Sequence, residues 1–302
     1  MTSDTHATAG VGDIHSQRPS FCVCPWLGDP GSVNALRSVH ASWLLPDDGS
    51  AATLHRAIKH FSSFPYENVT KILKSEGLSC NDDPRRLPNE VLHDHLAHGF
   101  GGTCFSLTAF MESSLTLLGF RPQRFLADMN AGPAMHSALL VPLEGRLWLV
   151  DPGYLLAQPM PVPDSPGLAI DRDGMRLVRE DRQQCALYTV RPDGVPLFRY
   201  RFSLTPVDEP HFTARWLDSF QWSTNRSLLI TCRQEGGMVY LHDRHLRITR
   251  DGLVEKINVG QHLGAQARQV FGMPAELVEK AHTIACRRRM EATQHESPRS
   301  AP

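Results

Sequence analysis

The chain lacks any long apolar run. No stretch of its 302 residues approaches the roughly 18 consecutive apolar residues that a membrane-spanning helix requires. Residues 1–20 are small and polar, without the apolar centre of a secretory signal peptide. We therefore expect no membrane partner, and we interpret residues 1–32 as a disordered or extended leader.

An excess of charge of one sign is also missing. The chain has 31 Lys and Arg against 32 Asp and Glu, which leaves a formal net charge of -1. Without a positive field, the composition indicates neither nucleic acid nor an anionic membrane as a partner. The apolar fraction of 41% and the charged fraction of 21% are typical of a globular protein with a substantial core.

A cysteine framework is absent too. The seven cysteines are odd in number and scattered, which favours free thiols in a reducing, cytoplasmic compartment. Cys22 and Cys24 stand close together, but no second Cys/His pair at zinc spacing accompanies them. His93, His95 and His98 do not form a His-Glu-x-x-His motif. We therefore expect no metal site and no bound cofactor.

What is present is a pattern that changes along the chain. A mostly helical region is followed by short apolar runs broken by Gly, Pro and Asp, and then by a mixed helix and strand pattern. We expect an α+β fold with these parts: a leader over 1–32, a helical bundle over 33–120, an antiparallel sheet or β-barrel over 121–204, an α/β region over 205–286 and a polar tail over 287–302.

Helices and strands are predicted within these parts from apolar spacing. Leu54, Ile58 and Phe61 recur at intervals of three to four residues, which is typical of an amphipathic helix. The apolar run from 105 to 120 predicts a buried helix that ends at Gly119. Further predictions are a hairpin over 137–142 and 147–150, strands over 187–190, 197–204, 228–232, 238–242 and 245–249, and helices over 215–222 and 277–284.

The best nucleophile candidate is Cys104, which follows Gly101-Gly102-Thr103 and opens the buried helix. A helix N-terminus and a nearby imidazolium stabilise a thiolate. The glycines allow a sharp turn, so backbone N–H groups can face an oxyanion, and Thr103 is placed to cap the helix. A buried, inert structural cysteine is the alternative interpretation.

His136 and Asp151 are the partners that this thiol requires. Each residue alone has a structural explanation, His136 at the start of a strand and Asp151 in a turn before Pro152-Gly153. Their strands are predicted to form one antiparallel hairpin, which brings both side chains to the same end. Together the three residues predict a Cys-His-Asp arrangement for acyl transfer.

At these motifs the chain resembles the arylamine N-acetyltransferases. The family's Arg-Gly-Gly-x-Cys motif is matched by Gly101, Gly102 and Cys104, and its His-x-x-Leu-x-Val strand begins at His136. The segment 149–154, with Asp151 in it, is similar to the family's Leu-Val-Asp-Val-Gly-Phe. Segments 64–68 and 223–227 resemble its Pro-Phe-Glu-Asn and Ser-Thr-x-Pro-x-Ser elements, so the likeness runs collinearly from about residue 33 to 265.

The resemblance implies a helical bundle that bears the cysteine, a β-barrel that bears His and Asp, and an α/β lid around a cysteine-protease-like core. It implies ping-pong acyl transfer from an acyl thioester, usually acetyl-CoA, to an aromatic amine or hydrazine. A specialised amide synthase of this class would take a larger acyl group from CoA or an acyl carrier protein and pass it to a small-molecule amine. Substrate and oxyanion binding is then expected around the nucleophile, at Gly102, Thr103, Phe105, Tyr66 and Phe100.

Several positions depart from the family pattern. Phe100 stands where the family has Arg, Ser106 where it commonly has Glu or Gln, and Thr108 where it has Asn. In the family those polar groups brace the loop of the nucleophile. We expect a differently supported loop and a reshaped substrate cleft in this chain.

Three functions stay open on the sequence. The first is N-acyl transfer, either of the arylamine N-acetyltransferase type or by an amide synthase that takes a larger acyl group. The second is hydrolysis or transglutaminase-type chemistry, which uses the same three residue types and differs in whether water reaches the acyl-enzyme. The third is a non-catalytic binding module, which the altered nucleophile loop suggests and the retained Cys, His and Asp oppose.

Overall fold

The helices that apolar spacing predicts are present, and others join them. The computed structural model describes residues 24–79, 81–191 and 193–296. Within these residues the α-helices are α1 (Pro30–Ser42), α2 (Ala51–Phe61), α3 (Val69–Ser75), α4 (Pro88–His98), α5 (Cys104–Leu117), α6 (Glu209–Asp218), α7 (Leu263–Phe271) and α8 (Ala275–Glu296).

The strands form two antiparallel sheets. Those of the larger sheet are β2 (Gln123–Met129), β3 (Gly132–Leu143), β4 (Arg146–Val150), β5 (Met160–Pro161), β6 (Ala169–Arg172), β7 (Met175–Arg179), β8 (Gln184–Val190) and β9 (Pro196–Ser203). Those of the smaller sheet are β1 (Tyr66–Glu67), β10 (Leu229–Gln234), β11 (Gly237–His242), β12 (His245–Arg250) and β13 (Leu253–Asn258).

Helix α5 is the central helix of the fold. Every residue from Cys104 to Leu115 is buried, the polar ones included, because neighbouring elements cover the helix on all sides. It packs on β3 of the larger sheet and on α2 and α4. The chain turns at Gly119, which has φ +87°, as predicted for the end of this helix.

The larger sheet has the strand order β5-β4-β3-β2-β9-β8-β7-β6, and its two edge strands contact each other, so it forms a nearly closed barrel. The predicted hairpin is β3 and β4, with Leu139 opposite Val150. Its turn, Glu144-Gly145, has positive φ at both residues, the geometry that two-residue hairpin turns favour. Asp151 follows β4 directly.

One detail of this hairpin differs from the prediction. We expected His136 at the start of a strand, but β3 begins at Gly132 and His136 lies inside it. The reason is the neighbouring strand β2, which continues the pairing with Ala127 opposite His136 and Met129 opposite Gly132.

The smaller sheet belongs to the lid, in the order β1-β10-β11-β12-β13, and α3, α7 and α8 pack with it. Strand β1 comes from the helical region, so that region contributes directly to the lid sheet. Helix α6 begins earlier than predicted because the Asp208 carboxylate caps it, accepting a hydrogen bond from the His211 N–H at 2.9 Å. Strand β13 was not predicted.

The predicted fold class, α+β with a helical bundle, an antiparallel barrel and an α/β lid, is confirmed. The exact domain boundaries stay predictions. Residues 1–23 of the predicted leader lie outside the described residues, while 25–27 form a 3-10 turn and α1 begins at Pro30. Helix α8 extends to Glu296 in the predicted tail, and 297–302 lie outside the described residues.

Among residues 24–79, 81–191 and 193–296, none of the helices is both long enough and apolar enough to cross a bilayer.

Candidate active site

His136 and Asp151 form a buried pair at the end of the β3–β4 hairpin. The distance from His136 Nε2 to Asp151 Oδ2 is 2.9 Å, and the two residues are 3% and 1% exposed. Because Nε2 is hydrogen-bonded to Asp151, only Nδ1 of the His136 ring is left to interact with another group.

Asp151 is held from two further directions. The Tyr200 hydroxyl donates to Oδ2 at 2.6 Å, and the Tyr154 backbone N–H donates to Oδ1 at 2.9 Å. Tyr200 lies in β9 and was not identified from the sequence, since only the sheet order β3-β2-β9 brings it near. These donors fix the orientation of the carboxylate towards the imidazole.

The thiol of Cys104 lies against this pair. Cys104 is the first residue of α5 and is 5% exposed, and its Cβ atom and the His136 Cε1 atom border the same small space over Gly153. Burial by itself would lower the pKa of His136, but Asp151 and Cys104 outweigh it and raise that pKa to about 10. The three residues singled out from the sequence are thus brought together.

Gly153 permits this close approach. A Cβ atom built at this position would lie 2.8 Å from His136 Cε1 and 3.1 Å from Cys104 Cβ. A side chain at 153 would therefore displace the imidazole or the thiol.

The turn before the nucleophile is tied to the chain around β1. The Gly102 N–H donates to the Pro65 carbonyl at 3.3 Å, and the Glu67 N–H donates to the Gly102 carbonyl at 3.0 Å. A Cβ atom at Gly101 would lie 1.9 Å from the Pro65 oxygen, so the two backbones approach as closely as only glycine allows.

These contacts correct two expectations. The Gly102 N–H already donates to Pro65 and is not directed at an oxyanion. Thr103 occupies the N-cap position of α5, but its side chain accepts no hydrogen bond from the described amides of that helix. Oxyanion donors are better sought among the first-turn amides of Cys104 and Phe105, which have no carbonyl partner within their own helix.

Arg86 braces this turn, and the sequence did not reveal it. Its Nη1 donates to the Gly101 carbonyl at 2.6 Å and lies 3.7 Å from Glu67 Oε1, and its Nη2 is 2.7 Å from Asp94 Oδ2. The side chains of Arg86 and Glu67 are 4% and 0% exposed. A buried arginine therefore supports the nucleophile loop from a segment some 15 residues earlier.

The family-specific departures have local explanations. Phe100 is 2% exposed and packs in the apolar core of the lid, so its ring contributes to that core, and its contact with substrate stays a prediction. The Ser106 hydroxyl donates to the Thr103 carbonyl at 3.0 Å. The Thr108 hydroxyl donates to the Ser137 carbonyl at 3.0 Å and ties α5 to β3 beside His136.

An aromatic wall, made of Phe105, Phe212, Trp216 and Trp222, packs in and against the apolar cluster that contains Cys104. The ring centroid of Phe105 lies 5.4 Å from Phe212, 6.4 Å from Trp216 and 6.0 Å from Trp222. Cys104 belongs to the same apolar cluster, and Tyr66 packs against it. Phe105 and Tyr66 are therefore where the sequence placed them, beside the nucleophile, whereas the lid aromatics were not predicted.

A family model described as N-acetyltransferase matches residues 51–275, most of the chain. An arylamine N-acetyltransferase / N-hydroxyarylamine O-acetyltransferase from Salmonella typhimurium is 24% identical over 276 residues, which is 87% of this chain and 89% of that protein. A solved structure of the Salmonella typhimurium arylamine N-acetyltransferase superposes with a TM-score of 0.67, covering 82% of this chain and 98% of the other.

Two further solved structures share the fold. The Mycobacterium marinum arylamine N-acetyltransferase in complex with CoA has 18% identity and a TM-score of 0.67, covering 83% of this chain and 98% of its own. A Bacillus cereus arylamine N-acetyltransferase, described as having a unique Cys-His-Glu catalytic triad, has 20% identity and a TM-score of 0.63, covering 80% and 99%.

The fold and the family match define an acyltransferase. The chain belongs to the arylamine N-acetyltransferase family, as the resemblance implied.

We predict that Gly153→Ala uncouples the thiol from the imidazole. The added methyl would meet His136 Cε1 and Cys104 Cβ, so alkylation of Cys104 by iodoacetamide at pH 6.5 should slow roughly tenfold, a cost of about 1.4 kcal/mol in the barrier. Peptide mass spectrometry measures the rate. Gly28→Ala is the matched control, because a Cβ at Gly28 meets nothing within 4 Å. An unchanged rate in Gly153→Ala would contradict the geometry.

Arg86→Met should destabilise the fold by about 3 kcal/mol, because it leaves the Glu67 carboxylate buried without its cation. Urea denaturation monitored by tryptophan fluorescence gives the free energy of unfolding. Arg146→Met removes an ion pair that is exposed on both sides and should cost about 1 kcal/mol or less. Equal losses in the two variants would argue against a bracing role for Arg86.

His136 should remain protonated well above neutral pH. Its pKa is raised, so the ring loses its proton only as the pH rises through about 10, and Asp151→Asn should lower that pKa by at least about one unit. NMR of ¹⁵N-histidine-labelled protein reports the ring state, with His136→Asn to assign the signal. His40 is the internal contrast, since burial lowers its pKa to about 4. A neutral His136 ring at pH 7.5 would refute the assignment.

Proposed function

We propose that this protein is a thioester-dependent N-acyltransferase that works through a cysteinyl acyl-enzyme. The observation that carries the proposal is that Cys104, His136 and Asp151 lie side by side and buried, with Asp151 hydrogen-bonded to His136 and the thiol at the N-terminus of α5. A thiolate beside an imidazolium is a ready nucleophile, and a buried carboxylate keeps the ring oriented.

In the first half-reaction the Cys104 thiolate attacks the thioester carbonyl of the donor. The carbon–sulfur bond to Cys104 forms, and the tetrahedral oxyanion is stabilised by first-turn amides of α5. The intermediate then collapses, and the bond to the donor thiolate breaks. That thiolate takes the proton held by His136 and leaves as a free thiol.

In the second half-reaction an amine attacks the acyl group on Cys104. His136, now neutral, accepts the proton that the amine nitrogen loses. Collapse of the intermediate forms the amide and expels Cys104 as a thiolate, which restores the starting ion pair. Asp151 keeps the same ring nitrogen throughout and stabilises each imidazolium that forms.

The donor in this proposal is an acyl-CoA, with acetyl-CoA as the simplest case, and the acceptor is an aromatic amine. Support comes from family membership and from the relative whose structure contains CoA. A carrier protein as donor and an amide synthase with a larger acyl group remain alternatives that no relative favours. A cytoplasmic location, where CoA thioesters are made, belongs to the same proposal.

Beside the aromatic wall lies a cavity of about 810 Å³, which is large enough for a bulky acyl donor or amine acceptor. Phe220 and Trp222 line it, and both also pack against the apolar cluster that contains Cys104. Volumes of this order hold drug-sized ligands and cofactors. Cys104, His136 and Asp151 do not line it, so in this proposal the cavity receives a part of the donor or acceptor that is remote from the reacting carbonyl.

The proposal is tested by intact mass spectrometry after incubation with acetyl-CoA and longer acyl-CoA thioesters. We expect one covalent adduct of acyl mass, absent in Cys104→Ala. Cys232→Ala is the matched control and should acylate normally, because burial raises the pKa of the Cys232 thiol to about 11.

The alternatives are separated by the fate of that adduct. Rapid loss in buffer alone, no slower than with an arylamine present, would favour the hydrolase. Persistence in buffer with release on addition of the amine supports acyl transfer. No adduct from any thioester would favour the binding module and overturn the proposal.

A further inference from the structure

A buried lysine lies behind the nucleophile and has no role in the steps above. Lys71 is in α3 between the buried residues Val69 and Ile72, and it is itself only 6% exposed. Lysine is almost never fully buried without a partner, because its ammonium group loses its hydration. The position therefore requires an account of what compensates the charge.

Neutral groups of the lid hold the ammonium in place. Lys71 Nζ donates to the Ser219 carbonyl at 2.9 Å and to the Ser219 hydroxyl at 2.8 Å. It also lies 4.4 Å from the ring centroid of Phe220 and 5.9 Å from that of Trp222. Aromatic faces attract a cation, but none of these groups carries a negative charge.

No carboxylate of the described residues lies within ion-pair distance of Lys71. Burial lowers the pKa of Lys71 to about 8, and a negative charge on the nearby Cys104 sulfur would act in the opposite direction. Lys71, Thr103 and Ser106 line the same small cavity of about 10 Å³, so the lysine borders the turn that carries Cys104 on the side where its ammonium group bonds Ser219.

We propose that Lys71 is a second cation for the Cys104 thiolate. It is a positioning residue, because it acts through the nucleophile. Together with His136 it places the sulfur between two positive charges. The proposal rests on the proposed function of Cys104. It orders the site as alternating charges: the Asp151 carboxylate, the His136 imidazolium, the Cys104 thiolate and the Lys71 ammonium.

This arrangement has a consequence for the second half-reaction. Acylation makes the Cys104 sulfur neutral, so Lys71 loses its counter-charge until the thiolate is expelled again. The ammonium therefore stabilises the departing sulfur more than the acyl-enzyme, which is the condition for accelerating that step. Lys71 supports the expulsion of Cys104 as well as its ionisation.

Other titratable groups around the sulfur do not duplicate this role. Those that act on Cys104 or on Lys71, or share the small cavity, are Tyr66 on β1, Arg86 before α4, His136 on β3, Asp151 and Tyr154. Burial raises the pKa of both tyrosines, which keeps them neutral at physiological pH. Arg86 is already paired with Glu67 and Asp94.

The test is the pH dependence of Cys104 alkylation by iodoacetamide between pH 5 and 10, followed at the Cys104 peptide by mass spectrometry. Lys71→Gln removes the charge but keeps a donor for Ser219, and its midpoint should move up by about one pH unit. Lys71→Arg keeps the charge, so its alkylation midpoint should equal that of the wild type. Lys59→Gln changes the net charge equally at an exposed position and should leave the midpoint unchanged.

The outcomes separate this proposal from the one beneath it. If wild-type Cys104 titrates like a free thiol, near pH 8.5, the proposed function fails whatever Lys71 does. If the wild type has a low midpoint and Lys71→Gln shares it, only the role of Lys71 is overturned. A merely structural lysine would lower the melting temperature without moving the midpoint. Should Lys71→Gln not fold, Lys71→Met, which preserves the apolar packing, serves as the second neutral variant.

Discussion

The hydrogen bond between His136 and Asp151 is the contact on which the rest of the site depends. A carboxylate and an imidazolium kept out of water are costly unless every remaining lone pair finds a donor. Here the Tyr200 hydroxyl from β9 and the Tyr154 amide, three residues after Asp151, supply those donors. The strand order β3-β2-β9 brings Tyr200 to this carboxylate, and the turn after β4 brings Tyr154. The barrel thus fixes the orientation of the His136 ring beside Cys104.

The nucleophile has to be held to this acceptor from another part of the chain. Helix α5 packs on β3, and the glycine turn before Cys104 pairs with the backbone around Tyr66. Arg86 stabilises that turn through the Gly101 carbonyl, which accounts for how an apolar Phe100 is tolerated next to it. Arg86 thus supplies a buried cation to this loop from a different place in the sequence than the arginine that the family motif has at position 100.

The lid completes the site with aromatic rings and one buried ammonium. Phe105 of α5 packs against Trp216 and Trp222, and Cys104 lies in the same apolar cluster. In the proposed mechanism this apolar surface would keep water from an acyl group on Cys104, and the low dielectric would strengthen the interaction of Lys71 with the sulfur. Under that proposal the helical region supplies the nucleophile, the barrel supplies the base with its carboxylate, and the lid supplies most of the enclosing wall.

Several helices, the central hairpin and the main residues of the site could be predicted from local sequence pattern alone. Apolar periodicity located α2 and α5, alternation and turn residues located the β3–β4 hairpin, and the motifs around Cys104, His136 and Asp151 indicated the chemistry, because each depends on neighbours a few residues away. Local pattern did not reveal the start of α6, strand β13 or the groups that brace the site, because these depend on tertiary packing. Tyr200, Arg86 and Lys71 act on partners many residues distant, and whether a buried polar side chain is a defect or a support depends on what tertiary packing places against it.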